Sequence, residues 1–134
     1  MTFSQLSPAA KAVVVGRLHQ LFQARHPETV PGRNGKGRGK AVNQVYNFGL
    51  EVGPKIGLSW RYVYLLSRWH KVLGDDVMQS LVGTTLDNSK HIEALLDLPT
   101  SEAREAYIRT RGNKLRKQEQ HDLTQITKQM ETIL

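Results

Sequence analysis

Residues 49–71, GLEVGPKIGLSWRYVYLLSRWHK, constrain this chain more than any other stretch. Gly57 falls where the chain must reverse, and glycine tolerates the positive φ that such a turn needs. Ser59 follows as an N-cap, its hydroxyl placed to accept from a free backbone N–H of the next helix. Val52 and Ile56 before the turn, with Leu58, Val63 and Leu66 after it, form one apolar set. Their spacing lets two short helices bury against each other. The pattern is that of a helix-turn-helix, and the remaining chain is expected to be organised around it. Ser59, Trp60, Arg61, Tyr64, Leu65 and Arg68 are left for the other side of the second helix. Arginines beside aromatic residues are an unusual choice for a merely solvated surface.

The charge coincides with this stretch. The formal net charge is +7 with a pI near 9.9, and residues 31–74 alone carry eight basic groups against one acidic. A basic face of that kind suits phosphate. The 134 residues allow one domain with a modest core. No apolar run approaches the roughly 20 residues of a membrane span. The first residues lack the basic start and apolar core of a secretion signal. With no cysteine, disulfides and thiolate metal sites are excluded. A soluble cytoplasmic protein, associated with the nucleoid, is the expectation.

Taken in order, Ser7-Pro8 opens a helix over 8–25 whose Val14, Leu18, Leu21 and Phe22 keep helical spacing, and His26-Pro27 ends it. Residues 30–40, VPGRNGKGRGK, are rich in glycine and cations but depart from a nucleotide-binding phosphate loop, because Gly37 is followed by Arg38 rather than Lys-Ser/Thr. A basic arm along a phosphate backbone, using Arg33, Lys36, Arg38 and Lys40, fits better. Val42, Val45, Tyr46, Phe48 and Leu50 suggest a further helix. Gly53-Pro54 then implies either a break in the first motif helix or a new helix starting at Pro54. Beyond Gly74, Asp75-Asp76 suit a helix N-terminus, which explains the adjacent acids as capping. Asp87 or Asn88 caps a segment closed by Pro99, and residues 100–112 form another helix with acids early and arginines late. In the tail, Leu123, Ile126, Met130 and Ile133 make a short seam that either docks in cis or supports a dimer.

The expected fold is therefore an all-α, multi-helix domain around a helix-turn-helix, with an N-terminal helix and a C-terminal helical tail. It divides into residues 1–29 (N-terminal helix), 30–40 (basic arm), 41–112 (DNA-binding domain) and 113–134 (C-terminal helix, a candidate dimerisation element).

The run IGLSWRYVYLLSRWHKVLGDDVMQSL, followed by KHIEALLDLP, resembles the central DNA-binding region of ParB-type partition proteins, including the KorB-like repressors. In that family an Ile/Val-Gly turn precedes the recognition helix, and a His-X-X-X-Leu-Leu segment follows, matched here by His91, Leu95 and Leu96. The resemblance covers roughly residues 42–110. It implies a helical module for double-stranded, often palindromic DNA, with base- and backbone-reading roles at Ser59, Trp60, Arg61 and Tyr64. The family's N-terminal nucleotide-binding domain and its arginine-rich motif are not visible in this sequence, so CTP binding and clamp sliding are not carried over. Gly53-Pro54 also departs from the family's first motif helix.

Arg61 and Arg68 are the candidates for guanine contacts or phosphate clamps, since a guanidinium pairs two acceptors at once. Tyr64 suits a phosphate or a thymine methyl. Lys55 and Lys71 are placed for phosphates, adding affinity without sequence information. Trp69 and Tyr62 are assigned to the core and His70 to the surface. His19 and His26 read as surface or packing residues, and the five histidines lack metal-ligand spacing. No catalytic set, metal, cofactor or small-molecule substrate is expected, and the chain is read as a non-enzyme. The expectation is a sequence-specific duplex-DNA-binding protein, a homodimer acting as a transcriptional regulator or a plasmid or phage maintenance factor. The alternatives are an interaction or inhibitor module that offers its basic face to an acidic protein, and a single-stranded nucleic-acid binder.

Overall fold

The computed structural model describes residues 2–26, 48–113 and 120–134, for 120–122 the backbone alone. These residues form α1 (Pro8–Arg25), α2 (48–56), α3 (Trp60–Leu73), α4 (Asp75–Leu81), α5 (Ser89–Asp97), α6 (Ser101–Arg111) and α7 (Gln120–Met130). Single 3-10 turns lie at Phe3–Gln5 and Glu131–Ile133. No strand occurs among the described residues, so the fold is all-α as the capped segments imply. None of its described helices is long and apolar enough to cross a membrane.

The centre of the molecule is α1 rather than the helix-turn-helix. Ala9, Ala10, Ala12, Val13, Val14, Val15, Gly16 and Leu18 are all buried, which leaves Lys11 and Arg17 as the half-buried polar positions of this half of α1. A helix so largely apolar must be enclosed on most of its sides. The enclosure comes from α3, α4 and α7. Small side chains allow close approach. A Cβ at Gly16 would stand 2.1 Å from His70 Cγ, so no larger residue fits without moving α3. The stripe of Val14, Leu18, Leu21 and Phe22 marks only one face of α1. Ala9, Ala10, Ala12, Val13 and Val15 bury the rest, and a consecutive run of apolar residues has no helical period for a stripe to show.

Ser7, Asn88 and Thr100 satisfy helix starts locally, and one further bond to a helix start crosses the fold. Ser7 Oγ accepts from Ala10 N at 3.4 Å, as Ser-Pro predicts, but Ala9 N donates to Asp87 Oδ1 at 2.8 Å. Asn88 caps α5 by accepting from His91 N at 2.9 Å. Of the two candidates for that cap, Asp87 thus serves the start of α1 instead, where a carboxylate also matches the helix dipole. Asp87 Oδ2 further accepts from Gly83 N at 3.0 Å. Thr100 caps α6 through Ala103 N at 3.1 Å, and α6 ends at Gly112 as expected. In α7, Leu123 and Ile126 are buried, with Met130 and Ile133 packed on the same core. The seam of the tail therefore docks in cis, against α1.

Candidate nucleic-acid interface

Helix α2 is fastened to α1 by Phe48, which is fully buried. Its ring stacks on His19 at 4.6 Å and meets Phe22 edge-on at 5.3 Å. The helix runs unbroken through Gly53-Pro54 to residue 56, so neither a break nor a new start occurs there. Pro54 lies in the last turn, and the carbonyl that loses its donor belongs to solvent-exposed Leu50, where water can replace it. The Gly53 position has its own cause. Leu58 N donates to Gly53 O at 2.9 Å across Gly57, whose φ is +79°, closing α2 with a Schellman motif. A Cβ on Gly53 would lie 2.6 Å from Leu58 O, so the turn demands glycine at both positions. The sequence does carry that signal, a glycine four residues ahead of the turn glycine. The proline obscures it.

The second motif helix, α3, begins after a turn of three residues, Gly57 to Ser59. Ser59 Oγ accepts from Tyr62 N at 3.2 Å, and Gly74, at φ +90°, stops the helix. Val63, Leu66, Trp69 and Leu73 are buried, and Val52 joins them, with Ile56 and Leu58 half-buried beside it, so the predicted apolar set does close the two helices together. Tyr62 is half-buried on this core. Leu65, expected on the outer side, also packs half-buried against it. The outer face keeps Trp60, Arg61, Tyr64, Arg68, Lys71 and Val72 exposed. Arg61, Tyr64, Arg68 and Lys71 recur every three or four residues and make one stripe about 15 Å long. No aspartate or glutamate lies in α3.

Several of these groups already have neighbours. The Arg61 guanidinium lies 5.5 Å from the Trp60 ring centroid, a cation–π distance. Arg68 Nη1 stands 3.8 Å from Glu93 Oε2 of α5. Lys55 Nζ donates to Ile133 O at 2.8 Å, which places this cation against the tail. Ser59 is exposed while serving as cap. The arm residues Arg33, Lys36, Arg38 and Lys40 lie outside the described residues.

His70, assigned to the surface from the sequence, is buried. It lies on the α1 side of α3, against Gly16, because α3 turns only one face outward. His70 Nε2 and Asp75 Oδ1 are 2.8 Å apart, and Asp75 also accepts two bonds from Arg17, each 3.0 Å, and one from Gln79. Asp75 is therefore more than a charge for the start of α4. It ties α1, α3 and α4 at one point, and the capping explanation holds only for the charge of the pair. Burial raises its pKa, but the hydrogen bonds from Arg17, His70 and Gln79 outweigh that and hold it well below the carboxylate range. Nearby, His19 falls from 6.5 to about 4, because burial disfavours the cation and Lys71 and His70 add to it. Its Nε2 is buried without a partner, as is Ser67 Oγ.

Among the described residues no group of side chains could hold a metal ion. Comparison with protein-family models, curated proteins and solved structures found no match to this chain. The likeness to ParB-type domains accordingly stands on the residues quoted above.

Proposed function

We propose that this protein binds double-stranded DNA, with α3 as the recognition helix of a helix-turn-helix. One observation carries the reading: a capped helix following a three-residue turn exposes Arg61, Tyr64, Arg68 and Lys71 as a single stripe to which α3 itself contributes no carboxylate. In this docking mode the N-terminal part of the second helix reaches base edges, while the first helix crosses the backbone. Ser59, Trp60, Arg61 and Tyr64 occupy that part. Arg61 and Arg68 can each pair two acceptors of a guanine, and Lys71 can meet a phosphate further along. The basic arm supplies further phosphate contacts from Arg33, Lys36, Arg38 and Lys40. As in ParB-like and KorB-like proteins, binding as a homodimer to an inverted repeat suits a repressor or a plasmid or phage maintenance factor at the nucleoid.

Selection from random duplex DNA tests this directly. Recovery of an inverted repeat is the expected outcome, with log affinity falling steeply against log salt. Recovery of no motif, or a shallow salt dependence, contradicts it and favours an acidic protein partner. Tighter binding to the single strand than to the duplex favours the single-strand reading.

A further inference from the structure

Glu93 is an acidic residue set against an otherwise cationic stripe. Its Oε1 accepts from the indole Nε1 of Trp69 at 3.3 Å, and Trp69 is fully buried, so the carboxylate is anchored on its inner side. Its Oε2 faces Arg68 Nη1 at 3.8 Å, with both side chains about half exposed, at 41% and 49%. An exposed pair at that distance adds little to stability. Trp69 needs an acceptor, which a neutral amide would supply equally well. The charge of Glu93 therefore acts on Arg68.

From this arrangement we infer that Glu93 is a positioning residue for DNA specificity, which rests on the DNA reading above. It biases the Arg68 guanidinium towards one place on the outer stripe, one helical turn beyond Tyr64. At 3.8 Å the contact is one of charge rather than a hydrogen bond, so the donors of the guanidinium stay free for a base edge. Holding a long side chain in advance reduces the entropy lost when it pairs two acceptors. The same carboxylate repels phosphate, so it weakens binding to any duplex that offers Arg68 no base partner. Glu93 thus separates specific from nonspecific sites by acting on both, a use of repulsion for discrimination.

The test compares wild type, Glu93→Gln, Arg68→Ala and the double variant. Each is measured on the motif the wild type selects from random duplexes, on that motif with single base-pair changes, and on an unrelated duplex of equal length. Glu93→Gln keeps the Trp69 acceptor and should melt with the wild type. It should bind the unrelated duplex more tightly and lose about tenfold discrimination at one base pair. In the Arg68→Ala background Glu93→Gln should change that discrimination no further. Unchanged discrimination in Glu93→Gln overturns the inference. So does a loss that persists without Arg68 or that follows a fall in thermal stability. A wild type that selects no duplex motif instead overturns the DNA reading itself, and the role of Glu93 with it.

Discussion

Arg17 and Arg68 are both arginines facing a carboxylate, yet they belong to different regions of the molecule. Arg17 makes two 3.0 Å bonds to Asp75 in a partly buried knot with His70 and Gln79, where α1, α3 and α4 meet. Arg68 faces Glu93 across 3.8 Å on the outer side of α3. One helix serves both regions, His70 turned inward and Arg68 outward, two positions apart in sequence. The difference teaches that geometry, and not residue type, separates scaffold cations from those available to a ligand. A guanidinium with two short bonds to a carboxylate is committed. One held at a distance on an exposed stripe keeps its donors.

The comparison can be broken most forcefully at the inner region. Gly16→Val forces side-chain atoms into the space of the His70 ring. Overpacking of this kind should cost about 3 kcal/mol or more, read as a large drop in denaturation midpoint. A wild-type midpoint would show that α3 is not seated on α1 as described.

Asp75→Asn should follow, costing about 2 kcal/mol at neutral pH through loss of charged hydrogen bonds. The carboxyl of Asp75 is held below its ordinary value of 3.8. Its contribution is therefore complete above that pH and lost as pH falls further. Urea titrations of both proteins should thus differ at pH 7 and converge in acid below pH 4. A constant gap would contradict the ionic role.

His19 sharpens the same region with a different pH window. Its folded pKa of about 4 lies below the ordinary 6.5, so the neutral ring stabilises fully above pH 6.5 and that part is lost as pH falls to about 4. On the order of 2 kcal/mol should disappear across this window, allowing for residual solvent screening. His19→Phe, which keeps the stack on Phe48, should flatten that slope. The smallest effect belongs to the outer region: Arg61→Ala should leave stability within about 0.5 kcal/mol of wild type.

How much was legible in the sequence follows the same division. Local signals are legible because their partners lie within four residues. Ser7, Ser59 and Thr100 cap helices, Gly57 and Gly74 end them, and the apolar set of the two motif helices closes as spaced. Long-range pairings were not legible. Asp87 serving the start of α1 and Asp75 tying Arg17 to His70 depend on residues brought together only by the fold. His70 looked like one more polar helix residue, since nothing in its neighbours reveals that Gly16 leaves room for its ring. The passage of α2 through Pro54 was hidden because proline usually breaks a helix, whereas here it falls in a final turn that Gly53 and Gly57 close. The outer stripe was legible as a set, apart from Leu65. The role of Glu93 beside it was not, because α5 reaches α3 only in three dimensions.

The central claim is that the outward stripe of α3 enters a duplex groove. Arg61→Glu combined with Arg68→Glu tests it most directly, with affinity for the selected duplex measured across a salt series alongside thermal melting. The expected result is a loss of about a hundredfold or more and a shallower salt slope in a variant that still melts cooperatively, at a slightly lower temperature because the new carboxylate at position 68 faces Glu93. Wild-type affinity and slope in that folded double variant would contradict the account.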